Sequence, residues 1–315
     1  MNMRESWLSA RRSGIGGSDA AAIIGVSPWR TPLDVYLDKT GQGVEQADSD
    51  PMLWGRLLEP VVRQRYADVT GREVLVPDVP NGIVVHPSIP YMLTTLDGYV
   101  DGAVRRVVEV KTARSGADWG EPGSDEIPDY YLPQVQHYLA VTGFSVADIA
   151  VLIAGSDFRI YTVEANPEFQ ELLIAAESVF WDHVQNGIPP APVCAADVLR
   201  MYPRDDGRSV VASDDVLADM ELAAALRQSI KSAELELEGD KKEGVLGVMD
   251  RIKTAIGQAS SLLHPTTGKP IATWKAAKDG TETDWEAVAR SLGAPAELIA
   301  AHTAVKTGSR RFLFK

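Results

Sequence analysis

The residues best placed to do chemistry in this chain are Asp97, Glu109 and Lys111. Asp97 closes the run Thr94-Thr95-Leu96-Asp97, and Glu109-Val110-Lys111 follows twelve residues after Asp97. On a strand, residues i and i+2 share a face, so Glu109 and Lys111 point one way while Val108 and Val110 point the other. A carboxylate and an ammonium on one face of a Val-rich strand are costly to bury without compensation. Asp101-Gly102 is a hairpin turn signal, and a hairpin there brings Asp97 back beside Glu109, about 5 Å away as a cross-strand neighbour. Two carboxylates that close repel each other and raise one pKa unless a cation holds both. A hard divalent ion, Mg2+ or Mn2+, suits such an oxygen-only pair. It would neutralise charge on a phosphodiester and acidify a water, while Lys111 orients or stabilises the attacking hydroxide. The competing reading is an ordinary surface Glu–Lys pair beside a turn Asp, a spacing that chance also produces.

Three further groups of residues bear on that choice. Glu59, in Gly55-Arg56-Leu57-Leu58-Glu59-Pro60, puts an acid on an upstream helix and could be a third ligand or a solvated helix acid. Gln134 and Tyr138 are four apart and share a helix face, with Tyr131 nearly on it. They could hold a water or a phosphate, or simply pack half-buried against a sheet. Arg11-Arg12-Ser13-Gly14-Ile15-Gly16-Gly17-Ser18-Asp19 is a basic, Gly-rich approach to a helix start. Backbone N–H groups there, with the Ser18 hydroxyl and Arg11, make an anion pocket suited to a terminal phosphate; the plain alternative is a tight turn.

The elements that must position these residues follow from periodicity and punctuation. Ser18 can cap a helix over DAAAII that ends at Gly25, and Thr31-Pro32-Leu33-Asp34 is a strong helix start. A longer helical pattern runs from about Met52 to Val69, with a kink or break expected beside Glu59 at Pro60. Residues 73–112 turn β-like: EVLVPDV, GIVVHP, MLTTLDGYVDG and RRVVEVKTA. IPDYYLPQVQHYLAVTG reads as a helix ending at Gly143, VADIAVLIAGSDFRIYTVEA as two strands, and Asn166-Pro167 as the start of a helix to about Gln185. The order predicts an α/β or α+β core with a central mixed sheet flanked by helices. NGIPPAPVCAADVLRMYPRDDGRS reads as a linker. The boundary falls near residue 205, giving domains 1–205 and 206–315. The second is mainly helical, from Ser213 to about Glu238 and over 245–256, with IATWKAAKDGT and SRRFLFK as candidate edge strands.

The chain has 315 residues and a formal net charge of −13, an acidic balance that leaves nucleic-acid contact to local basic clusters such as Arg11–Arg12, Arg63 and Arg65, Arg105–Arg106, Lys241–Lys242 and Arg310–Arg311. The one cysteine, Cys194, excludes an internal disulfide and a Cys-ligated cluster, which sets aside nucleases that depend on an iron–sulfur centre. The sequence holds no membrane-length apolar run and no secretory apolar stretch, so no membrane partner and a cytoplasmic location are expected.

Together the motifs resemble the YqaJ-type viral recombinases, the lambda-exonuclease-like branch of the PD-(D/E)XK nucleases that includes RecE-like phage exonucleases. RRSGIGGSDAAAIIGVSPWRTPLDVYLDKTG, GRLLEPVVRQRYADVTG, LTTLDGYVDG, VVEVKTA and YYLPQVQHYLAVTG occur in that family's order, over about residues 7–145. The resemblance implies a PD-(D/E)XK, restriction-endonuclease-like core and a Mg2+-dependent (or Mn2+-dependent) 5′→3′ exonuclease. Such an enzyme leaves 3′ single-stranded tails on linear duplex DNA for recombination. It implies metal binding by Asp97, Glu109 and the Val110 carbonyl, with Glu59 as a further acid. Lys111 would assist the nucleophile, and Gln134 and Tyr131 would belong to the active site. Arg11 and Ser18 would hold the 5′-phosphate, with Arg12 a second candidate for the arginine. By the same analogy the partners are double-stranded DNA ends, a RecT- or Beta-like annealing protein, and further copies of the chain in a ring trimer or tetramer. Thr95-Leu96-Asp97 departs from the Pro-Asp of the superfamily name but keeps the acid. A structure-selective endonuclease or resolvase on the same core, and a non-catalytic DNA-binding scaffold, remain the alternatives.

Overall fold

A Val- and Ile-rich strand with a carboxylate and an ammonium on one face must sit between two layers that treat its faces differently, and that is the arrangement observed. The structure is a computed structural model that describes residues 3–43, 49–240, 242–277, 285–295 and 297–298. The chain divides into two compact units, Met1–Pro203 and Arg204–Lys315.

In the first unit the described elements are α1 (Met3–Arg12), β1 (Ile15–Gly16), α2 (Gly17–Ile23), α3 (Pro32–Lys39), α4 (Asp50–Thr70), β2 (Val84–Val85), β3 (Met92–Thr94), β4 (Gly98–Val100), β5 (Arg106–Ala113), α5 (Leu132–Thr142), β6 (Val146–Ile153), β7 (Asp157–Glu164), α6 (Pro167–Asn186) and α7 (Ala195–Met201). The main sheet has the order β4-β5-β6-β7. β4 and β5 form the expected antiparallel hairpin, with Gly98 opposite Val108. β5 and β6 are parallel, with Glu109 beside Ile149 and Lys111 beside Val151, and β7 returns antiparallel to β6. A parallel pair needs a crossover, and α5 supplies it. A second small sheet, β1-β3-β2, carries the chain into the β4 strand. The mixed α+β architecture expected from the sequence is the one found.

Alternation along β5 sorts its side chains between two cores. Val107 joins Val135, Leu139, Ile149, Val151 and Tyr161 on the α5 side, whereas Val108 and Val110 pack with Val62 and Tyr66 of α4. Glu109 and Lys111 therefore belong to the α5 side. A third cluster, with Ile15, Ala22, Leu33, Tyr36 and Phe180, joins α2, α3 and α6. The sheet is thus sandwiched between α4 and α5, and α2 lies over α5 through a contact that only glycine permits. A Cβ on Gly17 would overlap the Tyr138 ring and press on the Gln134 carbonyl at 3.1 Å.

Local expectations fare differently. Thr31 caps α3 by accepting from the Asp34 N–H, and the Asp34 carboxylate accepts from the Thr31 N–H at 2.8 Å, a reciprocal capping box. Asn166 caps α6, and Gly143 ends α5 in the left-handed conformation, φ 69°. Ser18 is not the cap of α2. The helix starts one residue earlier, at Gly17, with Gly16 as cap and the Asp19 carboxylate accepting from the Gly16 N–H. Nor does Pro60 break α4, which runs without interruption from Asp50 to Thr70; much of this helix faces solvent, and only Val62 and Tyr66 are buried, so the missing proline N–H is tolerated there. EVLVPDV forms no strand, only an isolated bridge from Leu75 to Tyr99. The segment read as a linker contains α7, whose buried Asp197 accepts from the Thr31 hydroxyl and the Val193 N–H and so binds this stretch to the start of α3.

In the second unit α8 (Asp214–Glu238) is capped by Ser213, as its sequence suggested. A two-stranded ribbon, β8 (Gly239–Asp240) with β9 (Val245–Leu246), leads to α9 (Val248–Ile256). A second ribbon pairs β10 (Ser261–Leu263) with β11 (Pro270–Thr273), within the IAT stretch expected to be a strand, and α10 (Trp285–Ser291) follows. Lys241 and the SRRFLFK segment with Arg310 and Arg311 lie outside the described residues. Among the described residues no helix is long and apolar enough to cross a membrane.

Candidate active site

The β4–β5 register, extended by one residue, sets Asp97 opposite Glu109. The Asp97 carboxylate accepts from the Val110 N–H at 2.8 Å, which fixes it against the edge of β5. Glu109 is buried, with 2% of its surface exposed, and only one of its two oxygens has hydrogen-bond partners. Its Oε1 accepts from Lys111 Nζ at 2.6 Å and from Gln134 Nε2 at 2.7 Å, while its Oε2 is buried with no hydrogen-bond partner. Burial first, then the neighbouring Asp97 and Glu59, push the Glu109 carboxyl up to about 8 against the pull of Lys111. Asp97 is also raised, by burial, with Lys111, the Val110 N–H and Arg63 opposing. Burial depresses the Lys111 ammonium, but Glu109 and Asp97 outweigh it and hold Lys111 above its ordinary range.

Helix α5 completes this cluster. The Gln134 amide donates to both Glu109 and the Tyr138 hydroxyl, at 2.7 Å each, and its Oε1 accepts from Lys111 at 3.1 Å. Tyr131, the residue before α5, lays its ring 4.7 Å from Lys111 Nζ, a cation–π contact. Glu59 stands at the margin. Its carboxylate pairs with Arg63 at 3.1 Å, and Arg63 also donates to the Asp97 carbonyl at 2.6 Å. Burial and Asp97 raise the Glu59 pKa, so the two acids feel each other. Among the described residues, however, no three carboxylate, imidazole or thiolate side chains converge into a ready-made cation cluster. What does fit a divalent cation is the donor chemistry: two mutually repelling carboxylates, oxygen only, one with a bare buried oxygen.

Tyr138 links this cluster to a shallow open cleft whose lining includes Arg11, Gly16, Gly17, Ser18, Leu93 and Tyr138. The Arg11 guanidinium donates to the Ser18 hydroxyl, and the first N–H groups of α2 open beside them. Arg12 does not join; its guanidinium turns to Asp38 at 3.4 Å, because successive residues at the end of a helix point about 100° apart.

Residues 6–145 match the YqaJ-like viral recombinase domain. The resemblance read from the motifs is therefore borne out over that stretch. The uncharacterized protein YqaJ of Bacillus subtilis (strain 168) is 38% identical over 192 residues, 60% of this chain and 59% of YqaJ. Protein D345L of African swine fever virus is 22% identical over 162 residues, 44% of this chain and 45% of that protein. The matches thus span about half to three fifths of these relatives' lengths. Among solved structures, an alkaline exonuclease (LHK-Exo) from Laribacter hongkongensis has 22% identity and a TM-score of 0.48, covering 58% of this chain and 94% of that one.

The first unit also contains polar residues around the site whose roles the sequence did not single out. Asp19, wholly buried, meets Lys39 at 2.7 Å and Arg30 at 2.7 Å, with Arg11 at 3.9 Å. Burial alone would raise its pKa, but the three cations hold it far below the ordinary carboxylate range. His137, one residue before Tyr138, is clamped between Glu177 of α6 (2.8 Å) and the Leu93 carbonyl of β3 (2.9 Å). Burial lowers its pKa, and Glu177 more than restores it. Asp19 lies at the end of the Gly-rich approach and Lys39 at the end of the PLDVYLDK helix, and nothing local in either stretch marks them as partners.

Proposed function

We propose that this chain is a metal-dependent DNA nuclease that degrades one strand of linear double-stranded DNA from its 5′ end, leaving 3′ tails for phage-type recombination. The observation that carries the reading is the interacting Asp97–Glu109 carboxyl pair beside the Lys111 ammonium, with Glu109 Oε2 buried and without a hydrogen-bond partner. A protein with only a structural need at this point would have an apolar side chain there.

Asp97 and Glu109, with the Val110 carbonyl and Glu59, would hold Mg2+ or Mn2+. When bound, such a cation neutralises charge on the scissile phosphate and lowers the pKa of water. The rest is work for this chain's own groups. Lys111 places a fixed positive charge where hydroxide forms and the phosphorane-like charge develops. Gln134 keeps Glu109 Oε1 and Lys111 in register, and Tyr131 walls the ammonium from bulk water. A water oxygen forms the new P–O bond as the old one to the departing nucleoside oxygen breaks. Arg11, Ser18 and the N–H groups of α2 would take the 5′-terminal phosphate and set how far into the site the strand reaches. The net charge of −13 confines DNA to this cationic cleft and repels it elsewhere. The match of residues 6–145 to a viral recombinase domain supports a role beside a RecT- or Beta-like annealing protein. A ring of copies and a cytoplasmic setting accompany that reading by analogy.

The test is digestion of linear duplexes labelled at either end, with Mg2+ and with chelator, beside a closed circular duplex. Label released first from the 5′ end, only with metal and only from linear DNA, is the expected result. Efficient cutting of circles would favour an endonuclease or resolvase instead. Metal-independent binding without cleavage would favour a scaffold.

A further inference from the structure

We propose that Lys39 is a positioning residue for the anion cleft: its buried ammonium braces Arg11 and the Gly16–Ser18 turn so that the cleft is preformed for a terminal phosphate. The inference rests on the reading of that cleft given above and concerns how its selectivity arises.

The geometry is unusual for a lysine. Its side chain is wholly buried, a state lysine adopts almost only when paired. Its ammonium lies 2.7 Å from Asp19 Oδ2 and donates to the Arg11 carbonyl oxygen at 3.1 Å. Asp19 Oδ2 in turn accepts from the Gly16 N–H at 3.1 Å, while Oδ1 takes Arg30. One ammonium at the last position of α3 therefore ties down both walls of the cleft, the end of α1 that carries Arg11 and the start of α2 that carries Ser18. Between the walls runs Ser13-Gly14-Ile15-Gly16-Gly17, of which β3 anchors Ile15 and Gly16, but that pairing reaches neither Arg11 nor Ser18. A surface turn that merely reversed the chain would have no need of a desolvated ion pair beneath it, since burying two charges costs several kcal/mol each before their attraction is counted. Preorganisation is what such a brace supplies: donors already in place bind a phosphate without the cost of ordering them. The brace also leaves the cluster with surplus positive charge, because Arg11, Arg12, Arg30 and Lys39 share only Asp19 and Asp38. That surplus sits under the cleft and favours an anion in it.

The variant to make is Lys39→Met, which keeps the apolar stem and leaves Asp19 paired with Arg30 and Arg11. Two readouts are compared with the unaltered protein: digestion of duplexes carrying a 5′-phosphate or a 5′-hydroxyl, and the rise in melting temperature caused by inorganic phosphate. The expected result is a KM for phosphorylated ends raised about 10-fold or more with kcat retained, a rate on hydroxyl ends unchanged, and most of the phosphate-induced shift lost; tenfold corresponds to about 1.4 kcal/mol. In an Arg11→Ala background, Lys39→Met should add nothing further to the loss of selectivity. Should Lys39→Met not fold, Lys39→Gln, whose amide can donate to the same two oxygens, serves in its place with a smaller loss expected. A folded Lys39 variant with full phosphate selectivity and full phosphate-induced stabilisation would overturn the proposal, as would equal slowing on both kinds of end. An unaltered protein that neither prefers phosphorylated ends nor gains stability from phosphate would instead overturn the reading of the cleft itself, and the brace with it.

Discussion

Replacing Glu109 by Gln separates a catalytic acid from a structural one, because the two roles predict opposite stability changes. Glu109 is buried, and its carboxyl is raised from 4.5 to about 8 by burial and by Asp97 and Glu59. A carboxyl whose folded-state pKa exceeds its unfolded value contributes full stability below the unfolded value and loses it as pH rises through the folded one. In metal-free protein the stability assigned to Glu109 is therefore present below about pH 4.5 and spent by about pH 8. The Gln variant has no such slope. Its Oε1 can still accept from Lys111 and Gln134, and its Nε2 would stand where the bare Oε2 now lies, able to donate toward Asp97. One hydrogen bond to a charged acceptor is worth roughly 1.5–3 kcal/mol. For a unit of this size that corresponds to about 3–12 °C at 2–4 °C per kcal/mol. In chelator at pH 8, Glu109→Gln should thus melt higher than the unaltered protein, and at pH 5 the difference should shrink. Adding Mg2+ should reverse the order. The unaltered protein gains about 2.7 kcal/mol at a hundredfold excess over Kd, while the variant gains little. Cleavage should fall by more than the roughly 10–100-fold typical of losing a group that only supports a ligand. The assays are differential scanning fluorimetry across pH 5–9 with chelator or Mg2+, and release of nucleotides from a linear duplex. If the variant cleaves at the normal rate, or is destabilised by several degrees in chelator at pH 8, Glu109 is a packing acid and the hydrolytic assignment fails.

Other perturbations test separate links. Arg11→Ala should slow digestion of 5′-phosphorylated ends by about 10–100-fold, as expected for a charge-assisted contact of about 1.5–3 kcal/mol, with hydroxyl ends little affected; an equal effect on both, measured by end-labelled kinetics, would count against the phosphate assignment. Gly17→Ala drives a methyl into the Tyr138 ring and should cost about 1–3 kcal/mol by overpacking, with a lower melting temperature and lower kcat together, since Tyr138 holds Gln134; a neutral melting curve would mean α2 can slide off α5. Asp19→Asn leaves the buried Lys39 without its carboxylate and should cost about 3–5 kcal/mol at neutral pH, the usual penalty for breaking a buried pair. Because the folded Asp19 pKa lies below its unfolded value of 3.8, that stability is present above about pH 4 and lost as pH falls further. Denaturant titrations at pH 7 and pH 3 should show the gap between variant and parent beginning to narrow at the lower pH, most of it persisting because folded Asp19 is still ionised there.

The carboxylate pair was legible in the sequence because its geometry is local. Period-2 alternation decides which way Glu109 and Lys111 point, and a two-residue turn signal decides that Asp97 returns beside them. Gln134 and Tyr138 were legible for the same reason, from a four-residue spacing on one helix. What could not be read was whatever depends on residues distant in sequence meeting in space. Asp19 and Lys39 are partners across twenty residues and two helices, His137 and Glu177 across forty, and no local pattern distinguishes such pairs from surface charges. The same limit explains the misplaced details. Ser18 has the composition of a cap, but Asp19 reaches back to Gly16 and moves the helix start by one residue. Pro60 ought to break an isolated helix, yet α4 needs only Val62 and Tyr66 on the sheet to stay whole. Asp197 turns an apparent linker into a tethered helix by accepting from Thr31.

For a chain with 44 acids and 31 basic residues, the proposed action on a polyanion would depend on where its cations sit. Lys111, Arg63, Arg11, Arg30 and Lys39 each sit against a carboxylate or carbonyl of the site or the cleft. Those acids do not cancel the field so much as fix its position, since a buried cation held by one shared carboxylate cannot swing away as a surface lysine does. Asp19 is the clearest case, a single negative charge facing three positive ones. At the carboxylate pair the balance reverses, with Asp97, Glu109 and Glu59 outnumbering Lys111 and Arg63. The first unit therefore sets the Arg11 cleft beside the carboxylate pair, joined through Tyr138 and Gln134. On the proposed function a phosphate chain would be drawn to the first and a divalent cation to the second, and only where the two meet would a phosphodiester be held against both. Salt should accordingly weaken DNA binding steeply while leaving Mg2+ affinity nearly constant, because screening acts on the exposed cleft far more than on the buried pair.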